Sequence, residues 1–411
     1  MCGIIGILGK TDMQDRIVDG LSRLEYRGYD SAGIAIMSNA KASVSKAVGK
    51  LANLKTELAR KPLVGRVGIG HTRWATHGAA NTVNAHPHRA EHVTVVHNGI
   101  IENYSELKSE LIAQGVVFAS ATDTEVIAQL MNVALRTAST LYEAFSDTLS
   151  KLVGSFAIAV IVDGYEDVML VARNGSPLAI GYGDPDASGM SEMFVGSDAL
   201  ALAPFTENVS YLEDGDWAVI TPARLIVRDL EGSEVVREIQ HVPVENWSVD
   251  KSPYKHFMLK EIHEQPESLA RCLRGLIDHN TRTLKPFLDD VDFSTVDWII
   301  MVACGTAYYA CATAKYWFEE FVDIPVEIDI TSEFRYRKVP LTGKEIAIFV
   351  SQSGETADTL SALKNVKGHV QNVVAVVNVI TSSIAREADA ILDISAGPEI
   401  GVASTKAFTG Q

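Results

Sequence analysis

Hydrophobic and polar positions follow two different patterns along this chain. Up to about residue 240 the apolar positions come in short runs. Residues 3–8 are almost wholly apolar or glycine, which is how a strand covered on both faces reads. Residues 31–37 and 67–71 look the same, and 91–97 alternates before meeting Asn98-Gly99, a common turn pair. Further strands are expected at 156–162, 168–172, 193–197 and 216–220. Two stretches have helical spacing. One is 13–24, with Ile17, Leu21 and Leu24 on one side. The other is 122–135, where Thr122 is expected to cap the helix and Glu125 to complete a capping box. Strands at both ends with helices between them predict an α+β domain of sandwiched sheets under helical outer layers.

The pattern then changes. Residues 241–255 carry two prolines, Trp247 and mixed charge without periodicity, and read as a linker between domains at 2–240 and 256–411. Residues 254–276 read as a helix apart from Pro266. From 297 onward come β-branched runs at 298–303, 326–330, 346–350, 373–379 and 391–394. Helical stretches at 307–321, 356–366 and 382–388 separate several of them. Such alternation predicts an α/β domain, a parallel sheet with helices on both faces.

Composition adjusts this picture little. Hydrophobic residues make up 47% and charged residues 21%, ordinary values for a soluble globular protein. The 52 acidic against 36 basic residues leave a formal charge of −16, which argues against nucleic acid or an anionic membrane as partner. No apolar run approaches the roughly 20 residues a membrane helix needs, and no secretory signal is visible. The four cysteines, Cys2, Cys272, Cys304 and Cys311, do not make a disulfide scaffold at this length. A cytoplasmic location is expected.

The sharpest chemical candidate is Cys2. Aminopeptidases remove an initiator methionine before a small side chain, and loss of Met1 would place a thiol and a free α-amine on one residue. That amine, with a reference pKa of about 7.7–8.0, can take the thiol proton directly or through a water. The thiolate is the nucleophile. In His71-Thr72-Arg73-Trp74-Ala75-Thr76-His77-Gly78, Arg73 suits a two-pronged grip on a carboxylate. Asn98-Gly99 offers a side-chain amide beside a glycine N–H, the parts of an oxyanion hole, although the pair also reads as a simple turn. Asp123 near a helix start can bind an ammonium group, or serve only as a helix-terminal acid.

Six of the eleven histidines fall between residues 71 and 97. His88-Arg89-Ala90-Glu91-His92 even matches a zinc-protease pattern, but that pattern needs a helix. Pro87 precedes it and a strand-like run follows, so neither a metal nor another cofactor is expected. In the second half, Ser351-Gln352-Ser353-Gly354-Glu355-Thr356 follows an apolar strand and precedes a helix. Hydroxyls, a glycine and fresh helix N–H groups make a phosphate cradle without a lysine. Cys304-Gly305-Thr306 and Ser404-Thr405-Lys406 are also expected just past strands, so three loops could share one pocket at the strand ends. Good helix caps would use the same residues.

Together these residues resemble the glutamine–fructose-6-phosphate aminotransferase (isomerizing) family. The resemblance runs the length of the chain. It rests on Cys2-Gly3-Ile4, Leu24 through Gly33, His71 through Gly78, Val96 through Glu102, Asp123, Phe334-Arg335-Tyr336-Arg337, Ser351 through Thr356 and Glu399 through Thr409. It implies a four-layer αββα glutaminase domain of the N-terminal-nucleophile type, followed by a doubly wound sugar-isomerase (SIS) domain. Cys2 would be the nucleophile, with Asn98 and Gly99 stabilising the oxyanion. Arg73 would hold the glutamine carboxylate and Asp123 its ammonium. Trp74 would gate or line the ammonia route, and Thr76 and His77 would line the site. Ammonia would pass to fructose 6-phosphate, giving glucosamine 6-phosphate and glutamate. Thr306, Ser351, Gln352, Ser353 and Thr356 would hold the sugar phosphate, with Val402 and Ser404 adding contacts.

The complete enzyme is implied to be a homodimer. Family members continue with a second SIS half, so the chain is read as truncated, its SIS domain incomplete, and expected to keep only glutamine hydrolysis. Many members carry serine where this chain has Ala307. The alternative is a sugar-phosphate-binding module without turnover. A phosphoribosylamine-forming amidotransferase is disfavoured, since paired acids should then follow the strand that here leads into Ser351-Gln352-Ser353-Gly354.

Overall fold

The computed structural model describes residues 2–25, 28–75, 77–242, 253–278, 281–285, 288, 291, 293–401 and 403–411. Met1, Thr76, Val402 and most of the expected linker lie outside the described residues. The chain divides into two compact units, Met1–Glu245 and Asn246–Gln411.

The first unit begins with β1 (Gly3–Leu8), α1 (Gln14–Leu24), β2 (Ser31–Ser38), β3 (Lys41–Val48), α2 (Leu51–Arg60) and β4 (Val67–Arg73). Then come β5 (His88–Ala90), β6 (Val93–Ile101), α3 (Tyr104–Ala113), α4 (Thr124–Ala134), α5 (Leu141–Leu149) and β7 (Gly154–Val162). It continues through β8 (Met169–Asn174), β9 (Ala179–Tyr182), β10 (Met193–Gly196), α6 (Ala199–Leu202) and β11 (Asn208–Tyr211). Four short strands close it: β12 (Trp217–Ile220), β13 (Leu225–Arg228), β14 (Glu234–Val235) and β15 (Ile239–His241).

Two antiparallel sheets result, ordered β15-β11-β9-β10-β1-β4-β2-β3 and β14-β13-β12-β8-β7-β6-β5. Side chains alternate between strand faces, and β1 shows the consequence. Ile4 and Leu8 join Ile69 and Val195 of their own sheet and Val96 and Ala159 of the other in a core between the sheets. Ile5 and Ile7 point the other way, against Ile17 and Leu21 of α1. On the outside of the second sheet, Val93, Val95 and Ile158 pack on Val126, Met131 and Phe145 of α4 and α5. The unit is therefore a four-layer αββα sandwich.

Several local expectations fail here. Asn98-Gly99 is not a turn. It lies inside β6, with Asn98 opposite Ala157 and Gly99 opposite Phe156, and the chain reverses earlier, where Glu91 takes φ +49°. The capping box at Thr122 does not form either. The helix starts at Thr124, and the Thr122 hydroxyl is 3.1 Å from His88 Nε2. The Glu125 carboxylate instead accepts from the Ala119 and Ser120 N–H groups at 2.8 and 2.6 Å. The described part of the unit has six helices rather than two. α3 was hidden because it buries only Leu107 and Leu111, too few positions to show a helical period.

The second unit has α7 (Phe257–Leu276), a two-residue hairpin of β16 (Ile277–Asp278) and β17 (Thr283–Leu284), β18 (Trp298–Ala303), α8 (Gly305–Val322) and β19 (Val326–Ile330). After these come α9 (Thr331–Phe334), β20 (Glu345–Ser351), α10 (Ala357–Val366), β21 (Asn372–Val377), α11 (Ser383–Glu387), β22 (Ala390–Asp393) and α12 (Lys406–Gly410). The sheet is wholly parallel, in the order β19-β18-β20-β21-β22. One face packs Ile300, Phe349 and Ala375 on Leu363 of α10 and Ile384 of α11. The other packs Ile299, Ile346 and Val374 on Ala307 and Cys311 of α8. Ala307 thus fills core. α7 runs through Pro266. Proline removes the N–H that would bond the Ile262 carbonyl, and Gln265 Nε2 donates to that oxygen at 3.0 Å instead.

Candidate functional site

One end of the sandwich gathers the chemistry of the first unit. Ile69 faces the inter-sheet core, so His71 and Arg73, two and four residues on, face the same space. Cys2 precedes Ile4 by the same step. On the opposite sheet Val96 points inward, and so does Asn98. The four side chains therefore converge where β1, β4 and β6 end.

The contacts bear this out. The Trp74 N–H donates to Cys2 Sγ at 3.2 Å, and the thiol lies 3.6 Å from Trp74 O. Asn98 Nδ2 donates to Cys2 O at 3.1 Å. Burial pushes the Cys2 thiol above its ordinary pKa, and the Trp74 N–H and the Arg73 charge only partly draw it back. The thiol thus rests protonated near neutral pH and needs a base to become a nucleophile.

Around this centre the loop after β4 is tied down. The buried Arg73 guanidinium donates to the carbonyl of His77 and to those of Gly78 and Ala79 at 3.4 and 3.5 Å. Asp30 Oδ2 accepts from the Ala75 N–H at 2.8 Å. Half-exposed Trp74 meets Tyr29 edge-on, with ring centroids 5.2 Å apart, and His77 meets Tyr104 edge-on at 5.6 Å. Asp123, almost fully buried, accepts from the Ile101 N–H at 2.9 Å, which fixes it beside the end of β6. Gly99 takes φ +126°, and a Cβ there would overlap the Ser155 carbonyl oxygen. Only glycine fits that backbone.

Sequence reasoning missed a set of buried histidines behind Asn98. His71 stacks on His86 at 4.1 Å, and His86 meets His88 edge-on at 4.8 Å. His97 Nδ1 is 2.9 Å and His86 Nε2 3.3 Å from the Thr124 hydroxyl. Burial lowers the pKa of all four rings, that of His71 to about 3. No group of three metal-binding side chains occurs among the described residues. The parity of His71 with Ile69 was the available signal.

In the second unit β18 and β20 are neighbours, and the chain leaves them toward opposite sides, to β19 and to β21. That is a topological switch point, where a crevice opens at the carboxyl ends of the strands. Thr306 stands in the first turn of α8, just past β18. Ser351 ends β20, its hydroxyl 3.1 Å from the Thr356 hydroxyl and accepting from the Gly354 N–H at 3.1 Å. Ser353 Oγ accepts from the Glu355 N–H at 3.2 Å, and Gln352 O accepts from the Asn378 N–H at 3.2 Å. The loop is thus preformed at the N-terminus of α10. Ser404 departs from expectation, since β22 ends at Asp393 and Ser404 stands at the approach to α12. Its hydroxyl donates to Glu399 Oε2 at 2.6 Å, and Glu399 Oε1 also accepts from the Thr405 and Ala407 N–H groups at 2.8 and 3.2 Å.

Comparison with known proteins adds the lineage. Residues 72–203 match the glutamine amidotransferase domain and residues 293–411 the SIS domain. The chain is 51% identical over 411 residues to the glutamine–fructose-6-phosphate aminotransferase [isomerizing] of Brucella abortus, covering 100% of this chain and 67% of that protein. It is 52% identical over 413 residues to the same enzyme of Bradyrhizobium diazoefficiens, with the same coverage. The chain belongs to the glutamine–fructose-6-phosphate aminotransferase family. A solved C-terminal domain of the Francisella tularensis enzyme is 42% identical, with TM-score 0.37, covering 40% of this chain and 46% of that one. An N-terminal-nucleophile glutaminase fold followed by a doubly wound SIS fold is the family's arrangement and the one described above. No helix among the described residues is long and apolar enough to cross a membrane.

Proposed function

We propose that the first unit hydrolyses L-glutamine through Cys2 and that the second holds fructose 6-phosphate. In the whole enzyme the released ammonia then gives glucosamine 6-phosphate, with glutamate as co-product. The observation that carries the reading is the Asn98 amide, held 3.1 Å from Cys2 O beside the thiol. Once Met1 is removed, the α-amine of Cys2 takes the thiol proton and Sγ attacks the glutamine amide carbon. Asn98 Nδ2 and the Gly99 N–H receive the charge that develops on the amide oxygen. The α-ammonium returns that proton to the amide nitrogen, and collapse of the intermediate expels ammonia and leaves a thioester at Sγ, which water hydrolyses to glutamate. Arg73 pairs with the substrate carboxylate and Asp123 with its ammonium. Trp74 and His77 line this site, and Trp74 borders the way out for ammonia.

In the second unit the phosphate sits in the loop of Ser351, Gln352, Ser353 and Thr356, over the N-terminus of α10. Thr306, in the first turn of α8 at the neighbouring strand end, and Ser404 add contacts to the sugar. Supporting this are the adjacency of the two loops at the carboxyl ends of β18 and β20 and the chain's kinship with enzymes named for fructose 6-phosphate. The test is glutamate release from glutamine by wild type and by Cys2→Ala. The variant is expected to melt like wild type and to release no glutamate above background. Equal rates would remove Cys2 from the mechanism.

A further inference from the structure

The mechanism above leaves His71 unused, yet its surroundings are well defined. Its ring is fully buried on β4. Nε2 lies 3.0 Å from His97 O and 3.0 Å from Asn98 Oδ1. A main-chain carbonyl can only accept, so the ring proton must sit on Nε2. Nδ1 has no partner among the described residues, and burial holds the pKa at about 3. The ring is therefore neutral, with one N–H aimed at two oxygens.

That proton decides which way Asn98 faces. An amide NH2 group turned toward His71 would set donor against donor, so the atom there is oxygen. At the other end of the amide the neighbour is Cys2 O, an acceptor at 3.1 Å, which requires nitrogen. Two unconnected neighbours demand the same orientation. We propose that His71 is a positioning residue for glutamine hydrolysis: its Nε2–H holds Asn98 Oδ1, so that the Asn98 NH2 group is presented to the oxyanion formed at Cys2.

The inference rests on the glutaminase reading given above. A reversed amide would turn its oxygen, a negative dipole end, toward the developing negative charge. His71 touches neither substrate nor thiol in this scheme and acts through Asn98 alone. The ring is itself locked from behind. His86 stacks on it, and His86 Nδ1 accepts from the His97 N–H at 3.4 Å, next to the carbonyl that His71 bonds.

The test is steady-state glutaminase kinetics of His71→Leu, His71→Gln, His71→Asn, Asn98→Ala and the double variant His71→Leu/Asn98→Ala. Removing an oxyanion donor costs about 10²–10³ in kcat. His71→Leu is expected to lose about tenfold to a hundredfold in kcat with KM for glutamine nearly unchanged, the sign of an interaction made in the transition state. Iodoacetamide should alkylate Cys2 at the wild-type rate in that variant. Gln places an amide nitrogen four bonds from Cα, as far as Nε2, and should recover most of the activity. In the Asn98→Ala background His71→Leu should cost nothing further.

Wild-type kcat in a folded His71→Leu enzyme, or the same loss with and without Asn98, would overturn the proposal. If the Leu variant does not fold, His71→Gln against His71→Asn decides. Asn cannot reach and must be slower, and equal kcat values would overturn the proposal. Wild-type rates in Cys2→Ala would instead sink the glutaminase reading.

Discussion

Four histidine rings buried as neutral groups make this protein vulnerable to mild acid. His71, His86, His88 and His97 all have folded-state pKa values below the ordinary 6.5. The unfolded chain therefore binds more protons than the folded one as pH falls below about 6.5. Their contribution is complete above that value and is lost as pH drops toward the folded-state values, about 3 for His71. Each ring can steepen the loss by up to about 1.4 kcal/mol per pH unit. Carboxylates act in a different window. Glu192, held below its ordinary 4.5 by Arg16, loses its contribution only in stronger acid. Calorimetric melts should thus show Tm falling between pH 7 and pH 5, with proton uptake on unfolding. A flat Tm over that range would contradict the assignment. The residues proposed for this site could be singled out one by one, because Cys2, Arg73, Asn98 and Asp123 carry distinctive chemistry. The histidines could not. Six of them crowded into 27 positions suggest metal binding or nothing, and the setting of His71 emerges only when its parity with Ile69 turns it inward beside Asn98.

Asn98-Gly99 shows why elements were harder to read than residues. As a dipeptide it signals a turn, yet β7 continues the ladder past it, and Gly99 serves instead to let β6 approach the Ser155 carbonyl. Pairing over distance overrode local propensity. Glu125 is similar, since its carboxylate is spent on the Ala119 and Ser120 amides ahead of α4 and not on a capping box. β3 was missed because half of its positions are polar and, as an edge strand, it fully buries only Ala42 and Ala47. The parallel strands were read well because burial on both faces makes them continuous apolar runs. The Ser351–Thr356 loop, proposed to hold the phosphate, offers a sharp element-level test. Gly354 takes φ +64°, and a Cβ there would overlap the Ser382 side chain, whose hydroxyl caps α11. Gly354→Ala is expected to destabilise the second unit by about 1–3 kcal/mol and to weaken fructose 6-phosphate binding in calorimetry. Glutamine hydrolysis should be untouched. Unchanged melting together with unchanged sugar-phosphate binding would remove Gly354 from any role in shaping that loop.

The two units differ in how their cores are made, and this bears on whether one can work without the other. Three apolar clusters build the first: one between the sheets and one beneath the helices on each side. Every residue in them lies within Met1–Glu245. A unit of this size buries enough apolar surface to fold independently. Cys2, Arg73, Asn98, Gly99 and Asp123 all belong to it, as do His71 and the Thr124 network behind β6. The broad architecture was legible for the same reason, since antiparallel runs with turns and parallel runs with helices leave different periodicities. A chain ending at residue 242 is therefore expected to fold and to release glutamate at a rate close to that of all 411 residues. A soluble, cooperatively melting product that had lost more than about tenfold in kcat, roughly 1.4 kcal/mol of barrier, would show that the second unit helps to assemble the hydrolytic site. Retention of rate would confine glutamine chemistry to the sandwich, leaving to the parallel sheet the proposed task of holding the acceptor sugar.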